Sequence, residues 1–133
     1  MEFSFLTATK IVFKKGAIDE LVNHVKPLGS HFMLVVDPFF LNSPTMDGIR
    51  KQFEDAGLRC VAYGEVKGEP TVEQVDEITE LALKEGCDAV ISIGGGSCID
   101  AGKAVAALIT NGAPALDYME VVGKGKKVTR EPV

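Results

Sequence analysis

The chain alternates between short apolar runs and longer segments in which apolar residues recur every three or four positions. The short runs lie at 32–36, 59–63 and 89–93, and each has the length of a β-strand. Helical spacing occupies 18–25, 44–56, 72–85 and 98–109, and each of these segments is followed closely by a glycine or a proline. The pattern predicts that strands and helices alternate along most of the chain.

Alternating strands and helices with short connections are typical of a mainly parallel sheet that has helices on both faces. We therefore predict an α/β fold. The run at 89–93 is rich in β-branched residues and carries no charge, which indicates a strand buried on both faces of the sheet. Two further apolar segments, 3–5 and 11–13, lie within residues 1–15. The sequence leaves open whether they pair as a hairpin or reach another subunit.

Three consecutive glycines follow the predicted strand at 89–93. Gly94, Gly95 and Gly96 can adopt positive φ and present backbone N–H groups without a Cβ in the way. Ser97 is a good N-cap residue and Asp100 follows at capping-box spacing, so we predict that a helix begins here with its positive end facing the turn. This arrangement predicts an anion site, and we expect the anion to be a phosphate. The alternative is a tight connection that binds nothing.

Asp37 also directly follows a predicted strand, the apolar run at 32–36. Ligands of open parallel sheets bind at the carboxyl ends of the strands. We therefore expect Asp37 and the glycine turn to lie on the same edge of the sheet. The alternative is a strand-end aspartate that only faces water.

Composition narrows the class of protein. The 133 residues suit one domain, and 46% are hydrophobic and 25% charged, as in ordinary globular proteins. No apolar run approaches the roughly 20 residues of a membrane-spanning helix, and the first residues have the wrong order for a secretory signal. We therefore expect a cytoplasmic protein with no membrane partner.

Charge and cysteine content exclude two further classes. The net charge of −5 and the scattered lysines argue against a nucleic-acid partner. The three cysteines are odd in number and lack CxxC spacing, which argues against a disulfide framework and a zinc ribbon. Reduced thiols are the expected state.

The segment GGGSCIDAGKA resembles the amino-terminal half of the iron-containing (group III) alcohol dehydrogenases. The resemblance extends over IVFKKGAIDEL, GEPTVEQVDE and TNGAPALDYMEVVGKGK. It implies a Rossmann-like domain that binds NAD(P), joined in that family to a helical second half that holds Fe²⁺ or Zn²⁺ through an aspartate and three histidines. The implied activity is hydride transfer between NAD and a small alcohol at the metal.

None of the implied metal ligands can be placed on this chain. Its two histidines, His24 and His31, do not belong to the family's metal motif. We expect the tail at 121–133 to lead to a second domain that is absent here. The sequence therefore predicts a cofactor-binding half that is inactive on its own, with no catalytic residue of its own.

The resemblance implies roles for individual residues. Asp37 matches the position that meets the adenosine ribose, where a carboxylate repels a 2′-phosphate and favours NAD over NADP. Glu69 stands where the family often has asparagine, near the nicotinamide. Asp100 is either a structural residue or a direct cofactor contact. The family's diphosphate-binding turn matches Gly94, Gly95, Gly96 and Ser97.

Three other residues of the predicted helix at 98–109 need an interpretation. Gly102 replaces a usual alanine, which destabilises a helix by ~1 kcal/mol unless a neighbour packs against it. Cys98 lies in the first turn, but no histidine is close in sequence to act as a base, so we interpret it as a packing residue. Lys103 either pairs with Asp100 or leans toward the phosphates.

Hydride transfer is the leading functional hypothesis, and two alternatives stay open. One is an enzyme of the related glycerol dehydrogenase or dehydroquinate synthase type, and the other is a nucleotide-binding module without catalysis. For the full-length protein we expect an alcohol or aldehyde substrate and a homo-oligomer, a dimer or larger.

Overall fold

A three-stranded parallel sheet forms the centre of the fold in this computed structural model, which describes residues 10–133. The strands are β1 (His31–Val36), β2 (Arg59–Tyr63) and β3 (Ala89–Ile93), and their order in the sheet is β2-β1-β3. Phe32 of β1 is in register with Cys60 of β2 and with Ala89 of β3. The predicted parallel α/β fold is confirmed.

The helices begin where local sequence signals place them. Ser43 accepts a hydrogen bond from the Met46 N–H at 3.3 Å and caps the second-longest-running apolar stripe, and Thr71 and Gln74 form the predicted capping box. Within residues 10–133, no helix has the length and hydropathy needed to cross a membrane. The α-helices are α1 (Leu21–Val25), α2 (Pro38–Leu41), α3 (Pro44–Asp55), α4 (Val72–Glu85) and α5 (Gly96–Asn111), with 3-10 turns at Ala17–Glu20 and Ala115–Tyr118.

Helices cover both faces of the sheet because the side chains of β1 alternate between them. Met33 and Val35 pack with α4 and α5, whereas Phe32, Leu34 and Val36 pack with α1 and α3. All six residues of β1 are buried. The middle strand therefore contributes to both halves of the core.

Two strand predictions are wrong in detail. β3 is an edge strand of the described sheet and is only partly buried after its first residue, because β1 is the strand that has a neighbour on each side. The segment 11–13 forms no strand, and the Phe13 side chain is 99% exposed. The first half of the proposed hairpin lies outside the described residues.

The apolar pattern at 18–25 does not form one regular helix. It folds as the 3-10 turn followed by the five-residue α1, and α1 buries Val22 and Val25. α2 was not indicated by any apolar periodicity, because four residues are too few to show one. It begins at Pro38, directly after Asp37, and thus shapes the end of β1.

Asn111 holds the end of the chain against α5. Its side-chain oxygen accepts the N–H groups of Thr129 and Arg130, both at 2.8 Å, and its side-chain nitrogen donates to the Arg130 carbonyl at 2.9 Å. Lys124 pairs with Asp117 at 2.9 Å in the preceding loop. The tail at 121–133 is therefore attached to the domain by specific contacts, which the sequence pattern does not indicate.

Candidate functional site

Asp37 and Gly94 lie side by side where β1 and β3 end. The Asp37 N–H donates to the Ile93 carbonyl at 2.8 Å. Gly94 has a φ of 151°, and a Cβ built on it would lie 2.7 Å from the Asp37 Cβ and 3.1 Å from the Cys98 sulfur. Any side chain at position 94 would therefore force a neighbour to move. The prediction that Asp37 and the glycine turn share one edge of the sheet is confirmed.

The Asp37 carboxylate starts α2 and keeps free capacity to accept hydrogen bonds. Its Oδ1 accepts the Phe39 N–H at 2.9 Å, which makes Asp37 the N-cap residue of α2. Residues 10–133 provide no other hydrogen bond to this half-buried carboxylate. Since an ionised carboxylate offers about four lone-pair sites, the group can accept further donors from a ligand.

The start of α5 corrects one sequence prediction. The N-cap residue is Gly95, in an extended conformation with φ −83° and ψ −168°, and α5 begins at Gly96. Ser97 is therefore inside the first turn and is not the N-cap. Asp100 closes no capping box, because no described side chain caps α5. The glycine turn leaves β3 in such a way that the helix starts two residues earlier than the serine signal suggests.

The first N–H groups of α5 are available to a ligand. The Ile99 N–H is bonded to the Gly95 carbonyl at 3.1 Å, so the N–H groups of Gly96, Ser97 and Cys98 precede this bond. A Cβ built on Gly95 or Gly96 would meet no atom within 4 Å. Uncapped donors at the positive end of a 16-residue helix, reached through open space, suit an anion.

Asp100 and Glu69 belong to the neighbouring part of this edge, on the face covered by α4 and α5. Asp100 pairs with Lys103, with Nζ 3.5 Å from Oδ1. It lines an apolar groove of about 350 Å³ together with Pro70 and Thr71. Glu69 is exposed and directly precedes Pro70. The structure thus brings the Glu69 loop to the same side as Asp100, and the described contacts do not join either carboxylate to Asp37.

The titratable groups closest to Asp37 are held in their protonated forms. Burial raises the pKa of the Cys98 thiol, and the negative charge of Asp37 raises it further. Burial and the 3.1 Å hydrogen bond from its hydroxyl to Glu77 raise the pKa of Tyr63, at the end of β2, to about 12. Neither group is a nucleophile or a base near neutral pH. The interpretation of Cys98 as a packing residue agrees with its exposure of 1%.

Gly102 has a packing reason. A Cβ at this position would overlap the hydroxyl of Ser92 in β3. The glycine therefore lets α5 approach β3 closely, and this contact lies less than two turns from the open N–H groups. The loss of helix propensity that glycine brings is accepted here because the two elements must meet.

Residues 10–133 do not fit a metal centre. They contain no group of three or more histidine, cysteine, aspartate or glutamate side chains placed to hold a metal ion. His24 lies on α1, and His31 is buried at the start of β1, at the end of the strand opposite Asp37. The chemistry of this edge is that of nucleotide binding rather than metal coordination.

The comparison with known families decides the relationship. A family model described as iron-containing alcohol dehydrogenase matches residues 8–133. The chain belongs to the iron-containing alcohol dehydrogenase family. This assignment confirms the resemblance carried by the glycine turn and the segments around it, and it agrees with the Rossmann-like parallel sheet.

Three proteins illustrate the range of this family. Alcohol dehydrogenase 4 of Schizosaccharomyces pombe is 35% identical over 87% of the chain and 28% of its own length. NAD-dependent methanol dehydrogenase of Bacillus methanolicus is 32% identical over 94% of the chain and 33% of its own length. Sulfoacetaldehyde reductase from Bifidobacterium kashiwanohense, solved in complex with NAD⁺, is similar in structure with a TM-score of 0.71, at 25% identity over 91% of the chain and 32% of its own. The chain thus spans about a third of the length of these family members.

Proposed function

We propose that the chain binds NAD and forms the cofactor-binding part of a metal-dependent oxidoreductase that transfers hydride between NAD and a small alcohol or aldehyde. The observation that carries the proposal is the placement of Asp37 against the open glycine turn. A carboxylate and a row of backbone donors at one sheet edge match the sugar hydroxyls and the diphosphate of a dinucleotide. Family membership and the NAD⁺ complex of the sulfoacetaldehyde reductase support the same reading.

In this proposal each part of the edge holds one part of the cofactor. The N–H groups of Gly95, Gly96 and Ser97 bind the diphosphate. The free lone pairs of Asp37 accept the 2′-hydroxyl of the adenosine ribose, and its charge repels a 2′-phosphate. Glu69 and Asp100, on the face of α4 and α5, face the nicotinamide half.

The hydride transfer itself needs groups that residues 10–133 do not supply. A bound Fe²⁺ or Zn²⁺ would polarise the alcohol oxygen, and in this proposal its ligands belong to the remaining part of the enzyme. The chain contributes the binding and orientation of the cofactor. On this proposal the 133-residue chain binds NADH but does not oxidise alcohols.

NADH titration of the 133-residue chain, followed by nicotinamide fluorescence and calorimetry, tests the proposal. We expect saturable binding and a loss of affinity of about ten-fold in Gly95→Ala, because the added methyl group occupies the approach to the N–H groups. Gly48→Ala is the matched control, since a Cβ at exposed Gly48 in α3 also meets no atom within 4 Å. The thermal midpoint should not fall in either variant.

Two results would overturn the proposed function. One is a wild-type chain that shows no binding at millimolar NADH. The other is a Gly95→Ala variant that binds NADH as tightly as the Gly48→Ala control.

A further inference from the structure

Phe39 presents a large exposed aromatic ring next to the site. Its side chain is 82% exposed, although it lies only two residues from Asp37. An aromatic ring in water leaves unburied apolar area that a flat partner could cover. Within residues 10–133, the recorded ring contact is with Phe40, whose centroid lies 5.3 Å away at an interplanar angle of 87°. Phe40 in turn packs against the core on the face of α1 and α3.

The ring and the Asp37 carboxylate are held as one unit. The Asp37 Oδ1 accepts the Phe39 N–H at 2.9 Å, so the carboxylate and the backbone that carries the ring cannot move independently. Pro38 between them restricts φ at the first position of α2. A ligand that reaches the Asp37 carboxylate therefore meets the Phe39 ring in a defined position.

The sheet order shows which part of a dinucleotide passes over α2. The open N–H donors follow β3 and Asp37 follows β1, so a chain of diphosphate and ribose runs from the end of β3 to the end of β1. Continuing in the same direction leads toward β2, about 4.8 Å further on. α2 lies on that side, because the Leu41 side chain packs against Gly64 at the end of β2. The group attached beyond the ribose is the base.

We propose that Phe39 stacks on the adenine ring of the bound dinucleotide, an inference that rests on the function proposed above. Stacking on a ring that is already in place needs no new polar contact and suits the flat face of a purine. Glu69 and Asp100 lie on the opposite face of the sheet, near α4 and α5. The two bases of the cofactor therefore bind on different sides of the glycine turn.

Two ligand fragments separate this inference from the proposed function. ADP-ribose contains adenine, and reduced nicotinamide mononucleotide does not. In the 133-residue chain, Phe39→Ala should weaken ADP-ribose binding about ten-fold, by the usual worth of an aromatic stack, and leave the mononucleotide within two-fold. The control is Leu28→Ala, which removes a 70% exposed apolar side chain from the turn before β1, at the other edge of the sheet.

Phe39→Trp provides a direct optical signal. The chain contains no tryptophan, so the indole at position 39 would be its single tryptophan fluorophore. We expect wild-type affinity for ADP-ribose and quenching of this fluorescence on binding, with no quenching by reduced nicotinamide mononucleotide. Circular dichroism of all variants checks that the fold is kept.

The outcomes separate cleanly. ADP-ribose binding that is equal in wild type and Phe39→Ala overturns the adenine contact and leaves the proposed function standing. A wild-type chain that binds neither ADP-ribose nor NADH overturns the proposed function first. Dissociation of a dimer in Phe39→Ala, with ADP-ribose affinity unchanged, would assign the ring to an interface between copies and also overturn the stacking contact.

Discussion

Aspartates stand at both edges of the central sheet, and their surroundings are opposite. At the amino edge, the Asp88 carboxylate accepts the Ser30 N–H at 2.9 Å, the Ser30 hydroxyl at 2.8 Å and the His31 N–H at 2.9 Å. At the carboxyl edge, Asp37 accepts the Phe39 N–H. The glycines differ in the same way, since a Cβ on Gly29 would meet Asp88 and Ala89, whereas Gly95 is open.

The contrast teaches how one residue type serves two purposes in one domain. Asp88 joins two loops, and its hydrogen-bonding capacity is used within the protein. Asp37 and the first N–H groups of α5 keep capacity that only a ligand can use. An edge whose polar groups are satisfied internally stabilises the fold, and an edge whose donors and acceptors stay open is suited to binding.

The largest expected effect is at Gly94, where the open edge is itself tightly packed underneath. We predict that Gly94→Ala lowers the free energy of unfolding by about 3 kcal/mol, because the methyl group overlaps the Asp37 Cβ and the backbone φ of 151° is strained for alanine. Urea denaturation measures the loss. Gly95→Ala, one residue later, should unfold within about 0.5 kcal/mol of wild type; equal stability of the two variants would contradict the comparison.

At the closed edge, Asp88→Ala should lower the free energy of unfolding by about 2 kcal/mol, since it leaves the donors of Ser30 and His31 without their carboxylate. Urea denaturation tests this, and NADH titration provides the contrast. Cofactor affinity should stay at the wild-type value because Asp88 lies at the opposite end of the strands. A variant that keeps its stability but loses NADH binding would reverse the roles of the two edges.

The Asp88 effect should also depend on pH. Partial burial alone would raise the pKa of its carboxyl, but the hydrogen bonds from His31 and Ser30 outweigh this and hold the pKa below its usual range. The stabilisation is therefore present above the unfolded pKa of about 4 and is lost as the pH falls through the lowered native value. The stability difference between wild type and Asp88→Ala, followed by urea denaturation from pH 7 to pH 3, should shrink at the acidic end.

The smallest expected effect is a change in cofactor preference at Asp37. Asp37→Asn keeps a side-chain oxygen that can cap α2 but removes the negative charge, so the affinity for NADPH relative to NADH should rise about ten-fold. Competitive titration with the two cofactors measures the ratio. Asp55→Asn, at the far end of α3, makes the same change in net charge as a control. An equal ratio in both variants would remove Asp37 from ribose recognition.

Features that depend on neighbouring residues could be predicted from the sequence. The capping box of Thr71 and Gln74 joins positions three apart, and β2 spans the predicted residues 59–63. The start of α5 could not be predicted, because Ser97 is a good N-cap by type but the path of the glycine turn gives that place to Gly95. The central strand was also missed, since strand order depends on how the helical connections cross the sheet.

For the candidate site, the sequence identified Asp37 and the glycine turn, and only the coordinates brought them into contact. Asp88 and Asn111 were missed altogether. Their partners lie 57–58 and 18–19 residues away, so no local pattern reveals them. Phe39 reads as an ordinary apolar residue until its exposure beside Asp37 is known.

The order of hydrophobic and polar residues by itself determined the alternation of strands and helices, the glycine turn and the family, because these rest on spacings of a few residues. The tertiary structure decided which strand is central, which residue begins α5 and which aspartate keeps free lone pairs. Those properties depend on groups that are distant in sequence, and only the packing of helices on the sheet brings such groups within hydrogen-bonding distance.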